Sequence, residues 1–95
     1  MSVRTNQQRD TVYYTGHVQG VGFRYTARSI AENYAITGYV RNLPDGRVEL
    51  VAEGERPQIE SFLAEVRDYF VGRIRDEKRD KQPATGEFTN FDIRH

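Results

Sequence analysis

Apolar positions in this chain alternate in steps of two near its start and then switch to steps of three and four. Over residues 11–18 β-branched and aromatic types dominate, with Val12, Tyr14 and Val18 on one side and Tyr13 and Thr15 on the other, which predicts a strand. From Phe23 the spacing becomes helical. Phe23, Ala27, Ile30, Ala31 and Tyr34 form one stripe and leave Arg28, Glu32 and Asn33 for water. ITGYVRN reads as a second strand, LPDG as a hairpin turn with Pro and Gly where such turns favour them, and RVELVAE as a third strand with Val48, Leu50 and Ala52 on one face. Pro57 suits the first turn of a second helix, where its missing N–H costs nothing. Ile59, Phe62, Leu63, Val66 and Phe70 supply that helix's stripe. After Gly72 come the charged run RIRDEKRDKQ, a loop over residues 83–86, and a last strand in EFTNFDI.

The order is βαββαβ with a short terminal element. A strand–helix–strand unit crosses over right-handed, so the first two strands run parallel and the third slots between them antiparallel. The expected fold is α+β, a ferredoxin-like βαββαβ sandwich: an antiparallel sheet with two helices on one face. In it the C-terminal ends of the first two strands share one edge, roughly 10 Å apart. The corner QGVGFR and Asn42 therefore face each other across a small cleft. The run over residues 73–81 has Ile74 as its one aliphatic residue, so it is expected to be an edge strand, short, frayed or locally mobile.

Composition narrows the chemistry. Ninety-five residues suffice for one core, read here as a single domain over residues 11–95 behind a flexible tail of residues 1–10. No apolar run approaches spanning length and the first residues lack a signal-peptide core, so a cytoplasmic protein with no membrane partner is expected. There is no cysteine and the two histidines are isolated, which makes a poor metal site; neither metal nor cofactor is expected. A net charge of +0 and a pI near 6.7 argue against a broad nucleic-acid surface. A monomer that meets a small anion locally is the reading that remains.

The stretch GHVQGVGFRYTA supplies such a place. Gly20 and Gly22 let the backbone take positive φ, so that successive N–H groups point into one concavity. A helix beginning near Phe23 adds unpaired amides and the positive end of its dipole. Arg24 brings a planar guanidinium fork to the same anion, and a cation at that end of a helix is out of place unless an anion is supplied. No Lys-Ser or Lys-Thr follows Gly22, and Tyr25 stands where a dinucleotide fingerprint has its last glycine, which disfavours nucleotides. Asn42 beside a turn reads first as a turn residue, and its candidacy rests on the cleft geometry. His17 at a strand end is expected to be structural or solvated, and His95 is a terminal residue. Arg28, Arg41 and Arg47 are expected to be solvated, the last two near enough to the turn to enrich anions.

Together GHVQGVGFR and GYVRNLPDGRVELVAEG resemble the two signature segments of acylphosphatases, small βαββαβ enzymes that hydrolyse the carboxyl-phosphate bond. The likeness is close over residues 12–54, and TGEFTNFDIR resembles the family's closing strand. It implies a small acyl-phosphate substrate, inorganic phosphate as product, and a phosphate loop of Gln19, Gly20, Val21, Gly22, Phe23 and Arg24. It also implies that Arg24 is the anchor and that Asn42 orients the attacking water. An acyl phosphate expels a carboxylate, so no general acid is required, and transfer depends on holding three equatorial oxygens and aligning a water. That a phosphate oxygen accepts the water's proton is implied by the resemblance alone. Tyr14 stands where the family more often has an aliphatic residue. Two rivals share the fold: a non-catalytic anion- or RNA-binding module, and a domain that handles carbamoyl phosphate for a larger maturation enzyme. Against the RNA module, the aromatics of GVGFRY fall at a strand-to-helix junction, where they cannot form a stacking platform. The acyl group itself is left open among acetyl, carbamoyl, glyceroyl and aspartyl.

Overall fold

The computed structural model describes residues 7–95. In chain order the elements are β1 (Gln7–Gly16), α1 (Phe23–Ala31), β2 (Ile36–Asn42), β3 (Val48–Glu55), α2 (Arg56–Tyr69), β4 (Ile74–Pro83) and β5 (Phe91–Arg94). The sheet order is β4-β1-β3-β2-β5. β3 runs antiparallel between β1 and β2, as the crossover rule requires. The architecture is the ferredoxin-like βαββαβ sandwich, with one addition to the expected antiparallel sheet: β5 lies parallel to β2, making the sheet mixed.

The helical stripes read from the sequence close the core. Val12, Tyr14, Val40, Val48, Leu50 and Ala52 on the sheet meet Phe23, Ala27 and Ile30 of α1 and Ile59, Phe62, Leu63 and Val66 of α2. Pro57 sits in the first turn of α2, as its lack of an N–H allows. Among the described residues no helix is long and apolar enough to cross a membrane.

The last strand begins at Phe91, later than EFTNFDI suggests, and β1 ends at Gly16, short of Val18. The start of β1 and the extent of β4 also differ from expectation, and one ion cluster accounts for these two. β1 begins at Gln7, not at Thr11, so Gln7, Gln8, Arg9 and Asp10 of the expected tail are sheet residues, while residues 1–6 lie outside the described residues. β4 is neither short nor frayed in outline: it runs ten residues and pairs with β1 from Gln8 to Gly16, with one register shift at Thr15/Gly16. It is the edge strand, as expected. Arg79 pairs with Val12 in the register, so its side chain shares the helix-facing side of the sheet. There it donates to the fully buried Asp10 at 2.5 Å and to Glu60 of α2 at 2.9 Å. Glu77, two residues earlier, lies 3.9 Å from Arg67 of α2. Charge pairing with α2 thus replaces apolar packing along β4.

Candidate active site

β1 ends at Gly16, and residues 17–22 carry the chain to α1. Gly20 and Gly22 have φ of 77° and 78°, the left-handed region that side-chain-bearing residues rarely occupy. A Cβ on either would meet nothing within 4 Å, so conformation and not crowding demands glycine at both. Gly22 caps α1 without a side-chain hydrogen bond, and no acidic residue occupies the first turn. Among the described residues the amides of Gly20, Val21 and Gly22 donate to no backbone carbonyl. The positive end of α1 therefore opens outward uncompensated.

Arg24 and Asn42 line the same cleft, a space of about 120 Å³ bounded also by Val18, Gly20, Gly22, Phe23 and Tyr25. The topology brings them together: α1 starts where β1 ends, and β2 ends at Asn42 on the same edge of the sheet. Larger depressions exist, such as one of about 350 Å³ beside Arg28, Glu32 and Asn90, whose lining includes neither a glycine turn nor a helix N-terminus. Among the described residues Arg24 forms no ion pair with a carboxylate. Its Nη1 lies 3.3 Å from Nδ1 of His95, and since arginine only donates, the imidazole nitrogen accepts.

The other loop residues divide the work. Phe23 turns its ring into the core, 4.3 Å from Phe70 and 5.0 Å from Tyr14 between centroids, so three aromatics support the helix start from below. Tyr14 is wholly buried, its hydroxyl lacks a hydrogen-bond partner, and burial pushes its phenol pKa well up. Val21 packs on the core's edge and does not line the cleft. Gln19 does not line it either. Its Nε2 donates to the carbonyls of Leu43 and Arg47, each at 2.9 Å, tying the glycine turn to the hairpin that follows Asn42.

A model of the family described as Acylphosphatase matches residues 11–93. The chain belongs to the acylphosphatase family. An acylphosphatase of Nocardia farcinica is 44% identical over 87 residues, covering 90% of this chain and 87% of the relative. The crystal structure of acylphosphatase from Bacillus subtilis superposes with a TM-score of 0.85 at 31% identity, covering 93% of this chain and 99% of that one. HypF from T. kodakarensis matches with a TM-score of 0.80 at 30% identity over 93% of this chain but only 12% of its own. Membership makes the chain a hydrolase, and in general terms the activity that goes with the family is hydrolysis of acyl phosphates.

Three features of this acylphosphatase cleft were not read from the sequence. His95 reaches Arg24 because β5 is parallel to β2: Arg94 pairs with Arg41, which sets the next residue beside Asn42. The Gln19 clamp needs the hairpin to fold back on the loop. Tyr25 lines the cleft from the first turn of α1 while remaining exposed. The arginines expected to gather anions are engaged elsewhere. Arg41 Nε donates to Glu49 at 2.6 Å, and Arg47 Nε donates to Asp45 at 2.9 Å with its guanidinium 4.7 Å from the Tyr13 ring centre. His17 is exposed, and its backbone N–H donates to Arg73. Among the described residues no group of three or more His, Cys, Asp or Glu side chains could hold a metal ion.

Proposed function

We propose that this cleft hydrolyses acyl phosphates by binding the phosphoryl group on the loop amides of Gly20, Gly22 and Phe23 and on the Arg24 guanidinium, with Asn42 orienting the attacking water. The observation that carries the reading is the meeting of Arg24, at an uncompensated helix N-terminus, with Asn42 in one cleft of about 120 Å³. A dianionic phosphoryl group answers both the dipole and the guanidinium. The amides and the fork are directed at charge that spreads over three equatorial oxygens in the transition state. The Asn42 carboxamide has an acceptor for a water proton and a donor for a phosphate oxygen.

The water oxygen bonds to phosphorus as the bond from phosphorus to the acyl oxygen breaks. The carboxylate leaves with its electron pair, and the water's proton passes to a phosphate oxygen. No general acid is needed because the leaving group is a weak base. Gln19 contributes by position: it holds the glycine turn against the hairpin that carries Asn42. Every residue in the scheme comes from one chain, so a monomer suffices.

The match to 12% of HypF supports a second reading only in that the same fold occurs within a larger protein; carbamoyl phosphate as its substrate rests on the sequence resemblance. The RNA-binding reading has less support. Tyr39 on the outer sheet face is only 7% exposed and its hydroxyl is bonded to Glu49, so its ring offers little to a nucleobase. The test is phosphate release from benzoyl phosphate by the parent and by Arg24→Lys. The parent should turn over, and the lysine variant, which keeps the charge but loses the fork, should fall in kcat/KM on the order of a hundredfold. Near-parent rates in the variant would refute the anchoring role of Arg24.

A further inference from the structure

The cleft is small, about 120 Å³, and is built around the glycine turn and the start of α1, so it suits the phosphoryl group and the acyl part of the substrate extends beyond it. In-line displacement sets the leaving carboxylate on the far side of phosphorus from the water. With the water at Asn42, the acyl group leaves past another wall, and the large exposed side chain among the remaining lining residues is Tyr25, 58% exposed.

Tyr25 also forms part of a second depression, about 400 Å³, between α1 and α2, where Ser29 and Ile30 face Glu65 and Tyr69. Tyr69 is 65% exposed. The Arg28 guanidinium sits 5.6 Å from the Tyr25 ring centre and restricts that ring, and the Glu65 carboxylate accepts a hydrogen bond of 2.6 Å from the Tyr34 hydroxyl. The groove thus adjoins the cleft at one shared tyrosine, carries a second, and has a carboxylate on its wall.

We propose that this α1–α2 groove receives the acyl group of the substrate, and that Tyr25 and Tyr69 select neutral aromatic acyl groups over small or carboxylate-bearing ones. The inference rests on the phosphate reading of the cleft given above. An aryl ring gains by leaving water for contact with two tyrosine rings. Acetyl has no ring to set against Tyr25 or Tyr69, and a distal carboxylate meets the like charge of Glu65.

The experiment compares kcat/KM for benzoyl, acetyl and succinyl phosphate in the parent, Tyr69→Ala, Tyr69→Phe and Glu65→Gln, with inhibition by inorganic phosphate measured alongside. Taking the benzoyl-to-acetyl ratio within each protein and comparing it between proteins cancels the difference in leaving-group reactivity. The ratio should fall roughly three- to tenfold in Tyr69→Ala, chiefly through KM, and hold in Tyr69→Phe, which keeps the ring. Succinyl phosphate should be the poorest substrate, and Glu65→Gln should narrow its deficit. Phosphate inhibition in Tyr69→Ala should stay at the parent value, which separates the groove from the phosphate loop. A ratio unchanged in Tyr69→Ala, with acetyl phosphate still hydrolysed, overturns the groove assignment alone. The same unchanged ratio with a concentration-dependent dimer that Tyr69→Ala abolishes would assign the groove to a second copy and overturn it equally. A parent inactive on all three substrates overturns the phosphate reading, and this inference with it.

Discussion

Arg24 and His95 stand 71 positions apart in the chain and meet at 3.3 Å, guanidinium Nη1 to imidazole Nδ1. Arginine has no acceptor, so the contact exists only while Nδ1 carries a lone pair. The imidazole thereby limits the rotamers of a side chain whose fork must already be aimed when phosphate arrives. Removing it in His95→Ala should weaken competitive inhibition by phosphate roughly two- to fivefold and raise KM by a similar factor, with kcat less affected. His95→Gln, which restores an acceptor, should recover part of the loss. Equal kinetics in all three proteins would make the contact incidental.

Tyr14 shows what a misplaced hydroxyl costs. The ring is buried against Phe23, yet the oxygen lacks a partner. Tyr14→Phe keeps the ring contact and removes the unsatisfied group, so it should stabilise the fold by about 1 kcal/mol, read as a higher urea midpoint at unchanged m-value. Loss of stability in that variant would mean that the hydroxyl is bonded in solution.

Acid should unfold the protein through two carboxylates. The Glu60 carboxyl is held below its ordinary value of 4.5, first by the hydrogen bond from Arg79 and further by Arg56. Burial alone would raise Glu53, but hydrogen bonds from Thr85 and Gly86 outweigh it and bring that group below 4.5 as well. A depressed folded pKa contributes stability that is fully present above the unfolded value and lost as pH falls through the folded one. Urea midpoints should therefore change little from these groups above the ordinary carboxylate value of 4.5 and drop as pH falls below it. Glu53→Gln should lower the midpoint at pH 7 and flatten the acid decline. An acid decline of parental size in that variant would remove Glu53 from the account.

Much of this was legible in the chain, and the exceptions have physical causes. β2 begins and ends where its pattern predicted, at Ile36 and Asn42, and both helical stripes turn inward, because period and burial agree there. Gly20 and Gly22 announced a left-handed turn that the structure contains. β4 is longer than its pattern predicts because its helix-facing positions Glu77, Arg79 and Lys81 are charged, and a hydrophobic period is blind to Arg79 meeting Asp10 and Glu60. The start of β1 was missed for the same reason, since Asp10 is a polar residue buried by a partner 69 positions away. The cleft's loop and Asn42 followed from topology, whereas the Gln19 clamp and the His95 contact depend on how a hairpin and a parallel edge strand settle against the loop. Neither leaves a periodic trace.

The division of labour between Arg24 and Asn42 is the centre of the account, and Asn42→Ala tests it most directly. The variant loses the group assigned to orient water and leaves the loop amides, the Arg24 guanidinium and the Gln19 clamp in place. With benzoyl phosphate as substrate and inorganic phosphate as competitive inhibitor, kcat should fall by about a hundredfold or more while the inhibition constant stays within about twofold of the parent. A large loss of phosphate affinity with kcat nearly intact would contradict the account, making Asn42 a binding residue and leaving the water without its guide.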